Sequence, residues 1–418
     1  MSSFIFATGI ECSYPTVPEA DGKPRRVDEL EACGHYKHWR QDFDLVKELG
    51  IDFLRFGGPY YRMHLGPGRY DWSFLDETLP VLRDLGITPI LDLCHFGVPD
   101  WIGNFQNEDW PPFFAEFALA AVQRYPWVKW ITPVNEIYIA ALYSAEYGYW
   151  NEALKSHTGF VRALCNLCKA NVLAMNAITG ARKDIRFVQS ESTQYFHART
   201  PESLERTYFL NERRFLALDL SYAFPITANM YRYLMDNGMR SSEYDWFQQQ
   251  RMKEHCVMGN DYYARNEHVV EDLPKTGEDH NPKDSENRLG SQGLRGIGTN
   301  LGYYPIAKQY FERYRLPLMH TETNMEEPNA VYWLWQNWSS VVRLREDDLP
   351  VIGFTWYSLT DQIDWDTALT KNDHKVNPLG LCDLSRNLRD VGRAYKSLVA
   401  NWKDGMPSEV SAARLSRW

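Results

Sequence analysis

An α/β fold built as a single eight-fold β/α barrel is predicted by two features of this sequence. Eight short β-branched or aromatic runs alternate with amphipathic helical stretches along its 418 residues. The polar residues that interrupt those runs fall at their C-terminal ends, where such a barrel assembles a site. A third observation excludes the main competitor: a doubly wound open sheet needs a glycine-rich phosphate loop after an early strand, and the sequence has none. The expected organisation is one barrel domain over residues 1–418, with extra helices and a long loop around the sixth strand.

Each element follows in order. The first run is FIFATGI, ending near Ile10. IDFLRFG follows a stretch, HWRQDFDLVKELG, whose apolar residues recur at three and four and which stops at Gly50. SFLDETLPVLRDLG opens with Ser73 as an N-cap candidate and leads into the third run, ITPILDLCHF, which closes on His95. The fourth, VKWITPVNE, is a buried-type run that ends abruptly in Asn135 and Glu136, where burial is costly unless both are satisfied. IRFVQSES closes on Glu191 and Ser192, VMGNDYY on Asp261, Tyr262 and Tyr263, LPLMHTE on Glu322 and VIGFTWYS on Ser358. Residues 197–256 read as extra helices between the fifth and sixth runs. The polar stretch 264–300 is too long for a simple connection, and its place after a strand end favours a lid over a site.

Composition excludes several partners. A formal net charge of -10 with no basic run argues against nucleic acid or an anionic membrane. No apolar stretch approaches the roughly 20 residues that span a bilayer, and the N-terminus lacks a signal-peptide pattern. Seven cysteines at irregular spacing suit a reducing, cytoplasmic setting. Cys165 and Cys168 lie on a helical pattern without a second pair to complete a zinc site, so core packing is the expectation there. His35, His38 and His64 raise the alternative of a metal-dependent barrel, but a helical HYKH without a matched carboxylate reads as a surface face. No metal and no cofactor is expected, and the oligomeric state is left open.

Glu136 and Glu322 close the fourth and seventh runs, which brings them to one barrel mouth. Either glutamate alone reads equally well as a salt-bridge partner at a strand end. Together they match the chemistry of glycoside hydrolysis, which needs one protonated and one ionised carboxyl flanking the bond. Arg55 and Tyr263 are available to hold one of them ionised.

The residues also carry a resemblance, over almost the whole chain, to family 1 of the glycoside hydrolases. TPVNEI stands where that family has T-F-N-E-P, and TETN where it has T-E-N-G. LRFGGPYYRM is similar to its Y-R-F-S segment, TPILDLCHFGVPDWI to T-P-x-x-T-L-x-H-W-D-x-P-x-W-L, GNDYY to G-x-N-Y-Y and WYSLTDQIDW to W-S-L-x-D-N-F-E-W, with NPLGLCDL for the segment after it. The resemblance implies a retaining β-glycosidase acting on a glycoside or oligosaccharide. It makes Glu136 the acid/base and Glu322 the nucleophile, kept ionised by Arg55 and Tyr263. It also implies that Asn135 meets the sugar 2-hydroxyl, that His95 and Trp365 contact the sugar, and that Trp356 and Tyr357 line its site. A transglycosidase built the same way, or a barrel that binds carbohydrate without turnover, are the alternatives.

The chain departs from the pattern where sugar is read. The family's gripping Gln has Glu11 as its nearest counterpart, the gripping Glu of F-E-W is Asp364, and Phe96, Asp261 and Ile137 replace Trp, Asn and Pro. These departures predict a poor enzyme on simple aryl glucosides, and failure on phosphorylated disaccharides because Glu11 and Asp364 repel a phosphate.

Overall fold

The computed structural model describes residues 4–270, the backbone of 294–296, and residues 300–403. Its eight parallel strands are β1 (Ile5–Gly9), β2 (Phe53–Gly57), β3 (Thr88–Asp92), β4 (Trp130–Thr132), β5 (Arg186–Ser192), β6 (Cys256–Asp261), β7 (Leu318–Glu322) and β8 (Val351–Trp356). Each pairs with its neighbours in sequence, and β8 closes on β1 with Ile5 opposite Gly353, so the sheet has no edge.

The strands are buried on both faces. One face contributes to the lumen: Ile5 and Ala7 of β1, Phe53 of β2, Ile90 of β3, Trp130 of β4, Val188 of β5, Val257 of β6, Met319 of β7 and Ile352 of β8 form one apolar cluster. Because side chains alternate along a strand, the next inward layer lies two residues further on, towards the C-terminal mouth. That layer holds Gly9, Arg55, Asp92, Thr132, Ser190, Gly259 and Thr321. On these seven strands it is small or polar, and the site is built on it.

The helices wrap the outside: α1 (His35–Glu48), α2 (Ser73–Asp84), α3 (Trp110–Arg124) and α4 (His157–Ala181) follow the early strands. Between β5 and β6 come α5 (Leu204–Arg213), α6 (Leu216–Ser221), α7 (Ala228–Asp236) and α8 (Ser241–Gln248), the extra helices expected there. α9 (Tyr303–Tyr314), α10 (Ala330–Glu346) and α11 (Asp390–Trp402) complete the ring. Helix α1 ends as expected before Gly50, whose φ of +76° suits a residue without a Cβ. Ser73 is already the first residue of α2 and not its cap; the Asp71 carboxylate accepts its backbone N–H at 2.9 Å and supplies the turn instead.

The stretch expected as a lid is anchored at both ends. Tyr195–Ala198, Glu267–Val270 and Leu294–Gly296 form a small sheet beside the mouth between β5 and β6. Buried Glu267 then accepts hydrogen bonds from the backbone N–H groups of Leu301 and Gly302 at 2.6 and 2.9 Å. Residues 271–293 and 297–299, on which the lid expectation rests, lie outside the described residues.

All seven cysteines are buried free thiols; Cys165 and Cys168 sit in the core face of α4. His35, expected on a surface face without a matched carboxylate, is instead buried and bound by Asp42 at 2.7 Å, while His64 packs among Tyr60, Tyr70 and Trp101.

Candidate active site

Arg55 organises the mouth of the barrel. One terminal nitrogen of its guanidinium donates to Glu322 and, at 2.9 Å, to the Ser190 hydroxyl; the other donates to Asp92 at 2.8 Å and to the Asn135 amide oxygen. Burial works against this charge, but Asp92 and Glu322 keep the guanidinium firmly protonated. In return, Arg55 holds the buried Asp92 carboxyl below the usual carboxylate range despite its desolvation.

Glu322 ends β7. Arg55 takes its Oε1, and the Tyr263 hydroxyl donates to its Oε2 at 2.6 Å. Both oxygens are therefore fixed, one by a charge-assisted bond. Burial and the neighbouring Glu322 push the Tyr263 phenol upward, so it stays a donor.

Glu136 lies beyond β4 in a left-handed turn with φ of +37°. Its backbone N–H is bound to the Ser190 carbonyl at 3.0 Å, tying the turn to β5. Behind it, the buried Glu191 carboxyl accepts the Tyr138 N–H at 3.2 Å at the start of the short helix Ile137–Ala141. The Glu136 side chain itself has no hydrogen-bond partner among the described residues. Burial, then Asp261 and Glu322, push its carboxyl well above the usual range, which favours its protonated form.

Asn135 and His95 complete a closed ring of hydrogen bonds with Arg55 and Asp92. His95 Nδ1 meets Asp92 Oδ2 at 2.8 Å and its Nε2 meets Asn135 Nδ2 at 3.0 Å. Burial disfavours a charge on this imidazole, while Cys12 and Asp92 favour one. The polarity of the Asn135 contact decides for the neutral ring: the amide oxygen is committed to Arg55, so the amide N–H faces Nε2, which accepts. Tyr357 lies parallel to His95 with ring centroids 6.3 Å apart, and under the Arg55 guanidinium.

Asp261, where the resemblance has Asn, accepts from Ser190 at 2.7 Å and Thr321 at 2.6 Å and touches no cation directly; burial and Glu322 raise its carboxyl to about 8. Of the other residues expected in the site, Glu11 is buried beside Tyr357, with Oε1 held by the Ser13 N–H and hydroxyl. Trp365 is half-buried, edge-on to Phe96 and Trp150, and its buried indole N–H has no partner among the described residues. Trp356 is fully buried with its N–H bound to the Leu379 carbonyl at 2.9 Å. Both Asp364 oxygens accept backbone N–H groups of its own loop, from Lys375 at 2.8 Å and His374 at 3.0 Å.

Sequence reasoning missed Asp92 and Ser190. Asp92 and Ser190 carry a signal in retrospect, since each lies two residues past a lumen residue of its strand. Cys12, Asp92 and His95 bring potential metal-ligand atoms within 4.8 Å of one another, but Asp92 is already bound to His95 and Arg55, and the other imidazole nitrogen of His95 to Asn135.

A closed β/α barrel with two glutamates, one clamped by Arg and Tyr and one pushed towards its protonated form across the same mouth, belongs to the barrel glycoside hydrolases as a class. Residues 16–286 match the pattern that defines glycosyl hydrolase family 1, and the chain is a member of that family. It is 23% identical over 409 residues to β-glucosidase A of Thermotoga maritima, covering 88% of this chain and 87% of that protein. It is 22% identical over 409 residues to a 1,4-β-D-glucan glucohydrolase of Thermotoga neapolitana, with the same coverage. The structure of a T. maritima β-glucosidase in complex with azafagomine superposes with a TM-score of 0.78 at 18% identity, covering 97% of this chain and 99% of that one; at that identity the likeness is one of fold. Among the described residues no helix is long and apolar enough to cross a membrane.

Proposed function

We propose that this glycoside hydrolase cleaves a β-O-glycosidic bond by double displacement, with Glu322 as nucleophile and Glu136 as acid/base. The observation that carries the reading is the contrast between the two carboxyls. Glu322 is pinned through both oxygens by a cation and a phenol, while Glu136 is unbonded and buried among acids that favour its protonated form.

In the first step the Glu322 carboxylate attacks the anomeric carbon as Glu136 gives its proton to the departing oxygen. The charge on Glu322 is spent in the resulting ester, which removes one cause of the elevated Glu136 carboxyl. Glu136, now a carboxylate, takes a proton from water as that water attacks the anomeric carbon from the face the leaving group vacated. Two displacements at one carbon give net retention.

Asn135 presents its remaining amide N–H as a donor to the sugar, since its oxygen belongs to Arg55 and its other N–H to His95. Trp365 offers a stacking face and an uncommitted indole N–H. Among the described residues, Arg55 at the mouth is already committed to Glu322 and Asp92, which favours a neutral sugar over a phosphorylated one as the substrate class. A panel of aryl β-glycosides and β-linked oligosaccharides tests the reading: at least one is hydrolysed, and Glu322→Ala abolishes it. A wild-type enzyme inert on the whole panel, or an Ala variant of undiminished activity, refutes it.

A further inference from the structure

We propose that Glu11 and Gln362, and not Asp364, read the hydroxyl groups of the sugar at the end of the ring farthest from the bond that breaks. The carboxylate accepts from one hydroxyl, and the amide binds its neighbour. The inference rests on the glycosidase reading above and adds to it the residues that select the sugar.

Three observations carry it. The first is hydrogen-bonding capacity. Asp364 spends one oxygen on each of two backbone N–H groups in the turn leading to Lys375, so its carboxylate braces its own loop. Gln362 is uncommitted: its Nε2 makes only long contacts, 3.5 Å to Glu11 Oε2 and 3.3 Å to the Ser358 hydroxyl, and its Oε1 accepts nothing among the described residues. Among the described residues, Glu11 Oε2 has that one long contact and no other. Both side chains are at most 4% exposed. A buried carboxylate oxygen and a buried amide with spare capacity and no neighbouring Lys or Arg partner are costly as they stand, and a ligand bearing hydroxyls satisfies both.

The second is position. Glu11 follows β1 and Gln362 follows β8, neighbours in the barrel, whereas Glu136 follows β4 on the opposite side of the mouth. Glu11 nonetheless lies close enough to Glu322 to feel its charge, and it lies against Tyr357. A pyranose with its anomeric carbon at Glu322 and its leaving group towards Glu136 extends its far hydroxyls to the β8–β1 side.

The third is support. The buried Glu29 carboxyl accepts the Ile363 N–H at 3.2 Å, fixing the backbone next to Gln362, and Ser13 fixes the Glu11 carboxylate from behind. Burial and the proximity of Glu11 push the Glu29 carboxyl well above the usual range, and burial likewise raises that of Glu11, so this wall can offer acceptor oxygens to a hydroxyl without a cation to balance them. Compared with the family pattern, carboxylate and amide have exchanged strands.

The test uses the full-length enzyme and the best aryl β-glycoside it hydrolyses, with analogues that lack one hydroxyl at a time. Gln362→Leu and Glu11→Gln each lower kcat/KM about 30-fold or more on the parent, and the loss shrinks to within about threefold on the one analogue missing the hydroxyl that side chain reads. The exchange variant Glu11→Gln/Gln362→Glu recovers at least about tenfold over the weaker single variant. Calorimetric titration with an iminosugar of the same configuration follows the same order without turnover. The proposal is overturned if the single variants stay within about twofold of wild type, if their losses are the same on every analogue, or if Asp364→Asn costs more than Gln362→Leu. Should the variants fail to fold, the wild-type enzyme decides: indifference to every missing far hydroxyl overturns the proposal. A wild-type enzyme without activity on any β-glycoside defeats the glycosidase reading instead.

Discussion

Glu136→Gln separates proton donation from every other service of that side chain. Glu136 makes no hydrogen bond among the described residues, and the amide is nearly isosteric, so the substitution breaks no contact and keeps the left-handed turn. What it removes is the acid. General acid catalysis is worth roughly 10²- to 10⁴-fold, and only a poor leaving group needs it. On an alkyl or disaccharide glycoside, kcat/KM should fall by about that much, while on a dinitrophenyl glycoside it should change by less than about tenfold. Because kcat/KM reports steps up to the first irreversible one, the loss of Glu136 as base in the second step does not confuse the comparison. The pH profile gives an independent reading. The wild-type alkaline limb marks loss of the Glu136 proton and lies above the ordinary carboxylate range, since burial, Asp261 and Glu322 all hold that proton on. In the Gln variant that limb should vanish. Equal losses on both leaving groups with an unchanged alkaline limb would refute the assignment.

Three further outcomes are expected. Glu322→Gly should be inactive, and azide should restore turnover of an activated glycoside as the glycosyl azide of inverted configuration; product of retained configuration would reverse the two roles. Gly9→Ala should displace Tyr357, because a Cβ there would lie 2.1 Å from its ring, and should cost about 1–3 kcal/mol in denaturant unfolding together with activity; full stability and activity would refute it. Glu152 is raised by burial to about 7 and has one oxygen without a partner, so the folded state binds its proton more tightly than the unfolded chain does. Its contribution to stability is present below the unfolded value and lost as pH rises to about 7, so Glu152→Gln should flatten the fall in melting temperature between those limits.

The barrel was legible because its strands, buried on both faces, read as eight apolar runs, and because a polar residue closing such a run stands out. Glu136, Glu322, His95 and Asp261 were visible for that reason. Asp92 was not, since it sits inside an apolar run and gains meaning only from the alternation that turns it inward above Ile90. Gln362 and Asp364 stand in one loop beyond β8, and the sequence does not carry the turn to Lys375 in which the Asp364 carboxylate binds backbone amides. Ser73 was read as a cap because hydroxyls favour that position, yet the carboxylate of Asp71, two residues earlier, does the work.

The central claim is that two carboxyls act in sequence on one anomeric carbon. Proton NMR of the first product formed from a β-glycoside, recorded before mutarotation, tests it most directly. The β-anomer should appear first and decay towards equilibrium; initial release of the α-anomer would mean a single displacement by water and would contradict the account.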